Sequence, residues 1–367
     1  MSSASKYGDK ISEICNNGCI SFALSIAKDT GILPTLLSAS KPMTSQEIAD
    51  ANKLKERYKT YVREVLGSLT AAKLVRLQED ESGDSLYFLN DDEKRVLEDS
   101  GIMPCISFTM SLASVYSKVR ACFALDGPYG HHYGEEAHQV IGEFNMLSYS
   151  STISTFLRHV PELVRKLEAG IDVIEFGCGC GNVISELATK YPNSRFTASE
   201  VNSDLTEKLK AKWGHISNLA FEEHNICHLS EDLVNKYDWV MTVDVIHDLP
   251  NPQGAVASIR KTLKEPGGVY TFVEPVGSSR GTHKESVGNM SVAGFYALSV
   301  FMCLPESFQE PNSAALGPCA GRNVMVDIIK KANFDATCHE LDDMFTLFVA
   351  KVPGAREGVK RSAPRDW

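Results

Sequence analysis

The chain has 367 residues, 43% of them hydrophobic and 23% charged, with a formal net charge of −10. That length accommodates two domains, or one α/β domain with a sizeable extension, and the acidic balance argues against broad contact with nucleic acid or an anionic membrane. No apolar run approaches the roughly 18 residues a membrane span needs, and the first ten residues are polar, so neither a span nor export is expected and a cytoplasmic location is. The ten cysteines are scattered without a paired C-x-x-C set, which speaks for free thiols in a reducing compartment and against structural zinc.

Apolar residues between 10 and 28 predict a first helix, punctuated by Gly31 and Pro34. Thr44-Ser-Gln-Glu47 has the form of a capping box and predicts a short helix carrying Ile48, Ala49 and Leu54. Tyr58, Tyr61, Val62, Val65, Leu66 and Leu69 fall at helical spacing over 55–73. Two short apolar runs, 74–77 and 86–89, flank a polar tip at 79–85. Helix, helix and hairpin make a winged helix over residues 1–100. Its second helix carries Lys55, Arg57, Lys59 and Arg63, but also Glu56 and Glu64, and the tip Glu79-Asp80-Glu81 would meet phosphates with negative charge. Nucleic acid is therefore a poor partner. Assembly with a second copy, or cover for a pocket, fits better, with Phe22 and Ile26 packed on the rest of the chain or on that copy.

Residues 101–168 read as a helical connector and lid. The stretch 102–125 predicts one or two buried helices, and 139–147 and 153–167 two more. Between them, 126–134 is a loop dense in aromatic and imidazole groups. It includes His131 and His132, whose adjacency seldom lets both rings reach one metal ion. No metal site is expected.

From 169 to 353 strands alternate with helices, so a parallel sheet covered on both faces is expected, with a basic, disordered tail over 354–367. The stretch Ile171-Asp172-Val173-Ile174-Glu175-Phe176 is an apolar run ending in Gly177-Cys178-Gly179-Cys180-Gly181, and a helix opens behind it. Backbone can approach a ligand closely only where no Cβ intervenes, and the helix start offers unpaired N–H groups. The next strand, 195–200, ends in Glu200, whose carboxylate suits a pair of ribose hydroxyls. The following strands are read at 219–225, 237–244 and 267–274, with helices at 204–213, 251–263 and 322–332 and a closing strand pair at 334–340 and 344–351. The lid and the helices at 286–302 should line the acceptor pocket.

Glu175-Phe-Gly177-Cys-Gly179-Cys-Gly181 resembles the first motif of class I S-adenosylmethionine-dependent methyltransferases. The resemblance covers about 170–350 and implies a seven-stranded Rossmann-like methyltransferase sheet behind an N-terminal α-helical winged-helix domain. It also implies S-adenosyl-L-methionine as cofactor and a small-molecule acceptor methylated on oxygen or nitrogen. On that pattern Glu175, Gly177, Gly179 and Gly181 line the methionine and ribose end and Glu200 holds the ribose. Asn225 faces the adenine, and Ile226 and Asp244 complete the cofactor-binding set. The strand at 237–244 exits into His247-Asp248, similar to the base of plant-type small-molecule O-methyltransferases, with Glu274 in the place of the glutamate that orients it. Two departures follow: the segment Gly317-Pro-Cys-Ala-Gly321 carries no second glutamate, and Val243 stands where those enzymes have lysine. The other reading is a cofactor-binding regulatory protein that uses its winged helix on DNA or a protein partner.

Overall fold

A computed structural model describes residues 3–54, 59–99, 102–132, 153, 157–308 and 311–353. The chain divides into two compact units, one made of 1–114 with 139–147 and the other of 115–138 with 148–367. The helix expected at 139–147 and the tail expected over 354–367 lie outside the described residues.

The first unit opens with α1 (Ser3–Asp29) and α2 (Ile32–Ser38). Strand β1 (Met43–Thr44) leads into α3 (Ser45–Ala51), whose start is the expected capping box: Glu47 N–H donates to the Thr44 side chain while the Glu47 carboxylate accepts from Thr44 N–H. Next come α4 (Lys59–Ala71), β2 (Arg76–Glu79), β3 (Ser85–Phe88) and α5 (Asp91–Asp99). The small sheet runs β1-β3-β2. Val62, Leu66 and Leu69 of α4 meet Ile32, Leu33, Leu36, Ile48 and Tyr87 in one core. The hairpin tip is tied by Asp80, whose carboxylate accepts from the Ser82 and Asp84 amides. Phe22 and Ile26 do not join this core; they are 42% and 47% exposed, in line with Tyr7, Ile11 and Ile14 along α1.

Helix α6 (Ile102–Cys122) is a single helix rather than two, and Ile102 and Tyr116 on it are exposed. The boundary between the units falls within it. No single helix is long and apolar enough to cross a membrane among the described residues; α1 and α2 pass together only as a pair bent by 67°, and they contribute Ala27, Ile32, Leu33 and Leu36 to the core just described.

The second unit is built on a seven-stranded sheet in the order β6-β5-β4-β7-β8-β10-β9. In chain order its elements begin with α7 (Pro161–Ala169), β4 (Asp172–Phe176), α8 (Asn182–Lys190), β5 (Arg195–Glu200), α9 (Ser203–Trp213), β6 (Leu219–Glu223) and β7 (Trp239–Val243). They continue through α10 (Pro252–Thr262), β8 (Val269–Pro275), α11 (His283–Ser286), α12 (Met290–Phe301), α13 (Cys303–Ser307), α14 (Arg322–Lys331), β9 (Asp335–Glu340) and β10 (Phe345–Lys351). Strands β4 to β8 pair in parallel, and β10 runs antiparallel between β8 and β9. Two apolar clusters cover the two faces, one around Leu163, Leu187 and Trp239, the other around Ile259, Phe272 and Ile329. All of β8 is buried, as expected of a strand covered on both sides. The chain leaves β4 toward β5 on one side and returns to β7 on the other, so the strand order reverses at β4. Ligands of such sheets sit at the carboxyl ends beside that reversal.

Candidate active site

Loop 177–181 leaves β4 at that reversal. Its three glycines share left-handed backbone, with φ of 65°, 54° and 69°, yet each is required for a different reason. A Cβ on Gly177 would stand 2.9 Å from the Val245 side chain of the neighbouring strand exit. On Gly181 it would stand 2.7 Å from Leu209, so this glycine lets α9 pack against the loop. On Gly179 it would meet nothing within 4 Å. Gly179 faces open space, and its N–H donates to Glu200 Oε2 at 3.0 Å while Val201 N–H donates to the other oxygen at 2.8 Å. The carboxylate at the strand end thus lies beside a loop left open at Gly179.

Glu175 lies beneath the loop. Its carboxylate is buried and accepts from Ile184 N–H at 3.1 Å, bracing the first turn of α8. Burial pushes its pKa up to about 8; the Ile184 amide opposes this and the charge of Glu200 adds to it. Cys178 is buried beside it and its thiol is held well above the ordinary range, first by burial and then by Glu175 and Glu200, so it is an inert packing group. Asn225 Oδ1 accepts from Cys227 N–H at 2.9 Å in a local turn, and Ile226 is buried in the core of one face. Asp244, just past β7, takes φ 59° without being glycine, and its N–H donates to Val273 O at 2.9 Å.

The β7 exit continues into a short 3-10 turn, Ile246–Asp248. Its His247 is 2% exposed and its Nδ1 lies 2.6 Å from Glu274 Oε2. Glu274, fully buried on β8, also accepts from Val245 N–H at 3.1 Å and Ile246 N–H at 2.7 Å through its other oxygen. Sheet topology therefore brings His247 and Glu274 together across parallel neighbours. Two more contacts were not legible in the sequence. Asp248 Oδ1 lies 3.1 Å from His247 Nε2, and the Cys303 thiol of α13 lies within 4.8 Å of the ring. Adjacent side chains rarely converge, and Cys303 follows at a distance no spacing rule covers. The ring's burial disfavours its charged form, but Asp248 and then Glu274 outweigh this and raise the His247 pKa well above the ordinary value. Burial, with Asp248 adding to it, pushes the Cys303 thiol up to about 12. Where a second glutamate would follow, Gly317 N–H donates to the His247 carbonyl at 3.2 Å, so backbone fixes the turn there.

The paired histidines His131 and His132 lie on the loop after α6. His131 N–H donates to Pro305 O at 3.1 Å, His132 Nδ1 lies 2.9 Å from Glu306 Oε1, and Tyr129 stacks on Phe308 with ring centres 6.3 Å apart. The loop is thereby fastened to α13, and a cavity of about 340 Å³ lined by Phe123, Leu125, Tyr129, Leu304, Pro305 and Phe308 opens between them. The two imidazoles take separate partners.

Residues 174–270 match a family described as a methyltransferase domain. That match lies within the second unit. In front of it, residues 18–98 match an Rv2258c-like winged helix-turn-helix domain. No curated protein matches the chain. Among solved structures, human N-acetylserotonin methyltransferase in complex with SAM is similar at 14% identity and a TM-score of 0.69, over 97% of this chain and 99% of that one. An O-methyltransferase family protein from Burkholderia thailandensis is similar at 14% identity and TM-score 0.65, over 96% and 99%. The mitomycin 7-O-methyltransferase MmcR follows at 13% and 0.64, over 95% and 99%. At these identities the likeness speaks for the fold, which the methyltransferase domain shares along nearly its whole length and that of the preceding winged helix.

Proposed function

We propose that the protein moves a methyl group from S-adenosyl-L-methionine to the oxygen or nitrogen of a small-molecule acceptor. The observation that carries this reading is the pairing of an open, side-chain-free Gly179 with the Glu200 carboxylate on its amide, in a methyltransferase domain. That cradle fits a nucleoside cofactor: Gly179 leaves room for it, Glu200 has two oxygens for ribose hydroxyls, and Gly177 and Gly181 keep the loop tight. Glu175 acts through the loop and the helix that it braces, while Asn225, Ile226 and Asp244 stand at the neighbouring strand ends. When bound, the cofactor supplies a sulfonium methyl that is already strongly electrophilic, so alignment of the acceptor provides much of the rate.

A protonated acceptor adds the need for a base. His247, oriented by Glu274, is our candidate for that role, because it follows the strand next to β4 and a histidine can take a hydroxyl proton near neutral pH. The acidic groups Asp244, Asp248 and Glu274 favour a cationic cofactor over its neutral product by one charge.

For residues 1–100 we propose a role in assembly with a second copy, supported by the exposed apolar line Tyr7, Ile11, Ile14, Phe22 and Ile26 on α1. Nucleic acid is disfavoured by the acidic hairpin tip. The regulatory alternative has no comparable support. Incubating the protein with metabolite extracts and methyl-labelled S-adenosylmethionine tests the reading: label should appear in a small molecule. Tight cofactor binding with no label transferred to any extract, together with salt-sensitive binding to duplex DNA, would favour the regulatory alternative instead.

A further inference from the structure

We propose that Asp248 is a positioning residue that holds His247 doubly protonated in the resting site, so that His247 becomes a base only after Asp248 releases Nε2. The proposal rests on the reading of His247 as the candidate base, and it starts from the ring's surroundings. Nδ1 shares a 2.6 Å hydrogen bond with Glu274, and Nε2 lies at an ion-pair distance of 3.1 Å from Asp248 Oδ1, a buried carboxylate oxygen. An ionised carboxylate repels a nitrogen lone pair and attracts a cation at these distances, so with both acids ionised the ring is favoured with a proton on each nitrogen. A ring in that state has no lone pair to offer an acceptor.

The two acids are not equivalent. Glu274 is fully buried and its second oxygen is pinned by the Val245 and Ile246 amides, so it cannot turn away without stranding two donors. The Asp248 side chain is 23% exposed and sits on the 3-10 turn itself, where rotation about its Cα–Cβ bond would carry the carboxylate off the ring. Glu274 therefore orients the ring and Asp248 is the movable partner. Other groups that face the ring do not replace it. Asp244 Oδ1 is 3.8 Å from Nδ1, on the side already held by Glu274. The Cys303 thiol, pushed up to about 12 by burial, and the Cys319 thiol, pushed up to about 11 by burial, are both uncharged near neutrality. The sustained imidazolium agrees with the upward shift of His247, in which the charges of Asp248 and Glu274 overcome burial.

Every proton has a destination in this scheme. If a bound cation drew Asp248 away, the Nε2 proton would pass to solvent and leave a neutral ring with Nδ1–H still on Glu274. The Nε2 lone pair would then be free to take the acceptor's hydroxyl proton; the methyl donor, when bound, would supply the methyl group and keep the S–CH3 electron pair on its sulfur. A site built this way withholds its base until a cation has drawn off Asp248.

The test is a titration of the His247 ring by nitrogen-15 NMR in the full-length, cofactor-free chain, its signals identified by their loss in His247→Gln. The wild-type ring should stay doubly protonated well above pH 6.5, the ordinary histidine value. In Asp248→Asn the midpoint should fall by at least about one pH unit, while the Nδ1–H signal is retained because Glu274 is untouched. Thermal unfolding checks that the variant is folded, and Asp248→Ser serves in its place if it is not. The limb of kcat/KM that rises with pH, which reports the free enzyme, should move to lower pH in the same variant, which a merely structural aspartate would not cause. An unchanged midpoint in a folded Asp248 variant, or a wild-type ring that titrates at or below the ordinary histidine value, overturns the proposal. Because the titration needs neither cofactor nor turnover, its outcome is separate from that of the methyl-transfer assay.

Discussion

The loop after β4 and the turn after β7 lie at the same end of one sheet and solve opposite problems. The first is left open: Gly179 faces open space, and Glu200 at the next strand end accepts from backbone amides. The second is filled: His247 is clamped between Glu274 and Asp248, with Cys303 against the ring. A binding surface needs groups left over for a ligand, whereas a charged group kept out of water must be neutralised by its own neighbours. The contrast explains why substitutions in the turn should act through stability and proton transfer, and those in the loop through affinity.

The largest effect should come from the filled side. Glu274→Ala leaves a buried imidazole and two amides without their acceptor, and should cost about 3–5 kcal/mol in chemical denaturation. His247→Ala should next lower turnover of a hydroxyl acceptor by ~100-fold or more with cofactor affinity nearly unchanged, as read in steady-state kinetics and calorimetry. An amine acceptor already in its neutral form should be affected far less.

Glu175→Gln sharpens the comparison from the loop side. Folding raises the Glu175 pKa from 4.5 to about 8, so the folded state holds this proton more tightly than the unfolded chain does. Its contribution to stability is therefore full below about pH 4.5 and is lost as the pH rises through about 8. Glutamine keeps an oxygen for Ile184 N–H and has no such slope. Denaturation of both proteins across this range should show the variant gaining on wild type as pH rises, by on the order of 1 kcal/mol or more. The smallest effect belongs to the contact of His132 with Glu306, where the imidazole is 75% exposed. Glu306→Gln should shift stability by no more than about 0.5 kcal/mol.

The same contrast governs what could be read before the structure. Constraints local in sequence were legible: the capping box at Thr44, the three glycines, and strand Arg195–Glu200, whose bounds match the expected ones. The juxtaposition of His247 and Glu274 also followed, because parallel strands that are neighbours in the sheet bring their exits together. Helix α5 escaped notice because Asp91, Asp92 and Glu93 open it and few apolar residues mark a face. Strand β1, two residues long, carries no periodicity at all. Within the site, the carboxylate of Glu175 was expected in the cleft but lies on the helix amide beneath it, since alternation along β4 cannot say how far a side chain is roofed over. Contacts of Asp248 and Cys303 with the His247 ring depend on a turn and on a helix that arrives late in the chain, neither of which leaves a pattern.

The most direct measurement of the central claim is calorimetry of S-adenosylmethionine with wild type and Gly179→Val. The β-branched side chain would project into the space that Gly179 leaves open, on left-handed backbone that suits glycine. Wild type should bind, and a folded Gly179→Val protein should lose at least ~100-fold in affinity, about 2.7 kcal/mol. Undiminished affinity in that variant would contradict the assignment of the cleft.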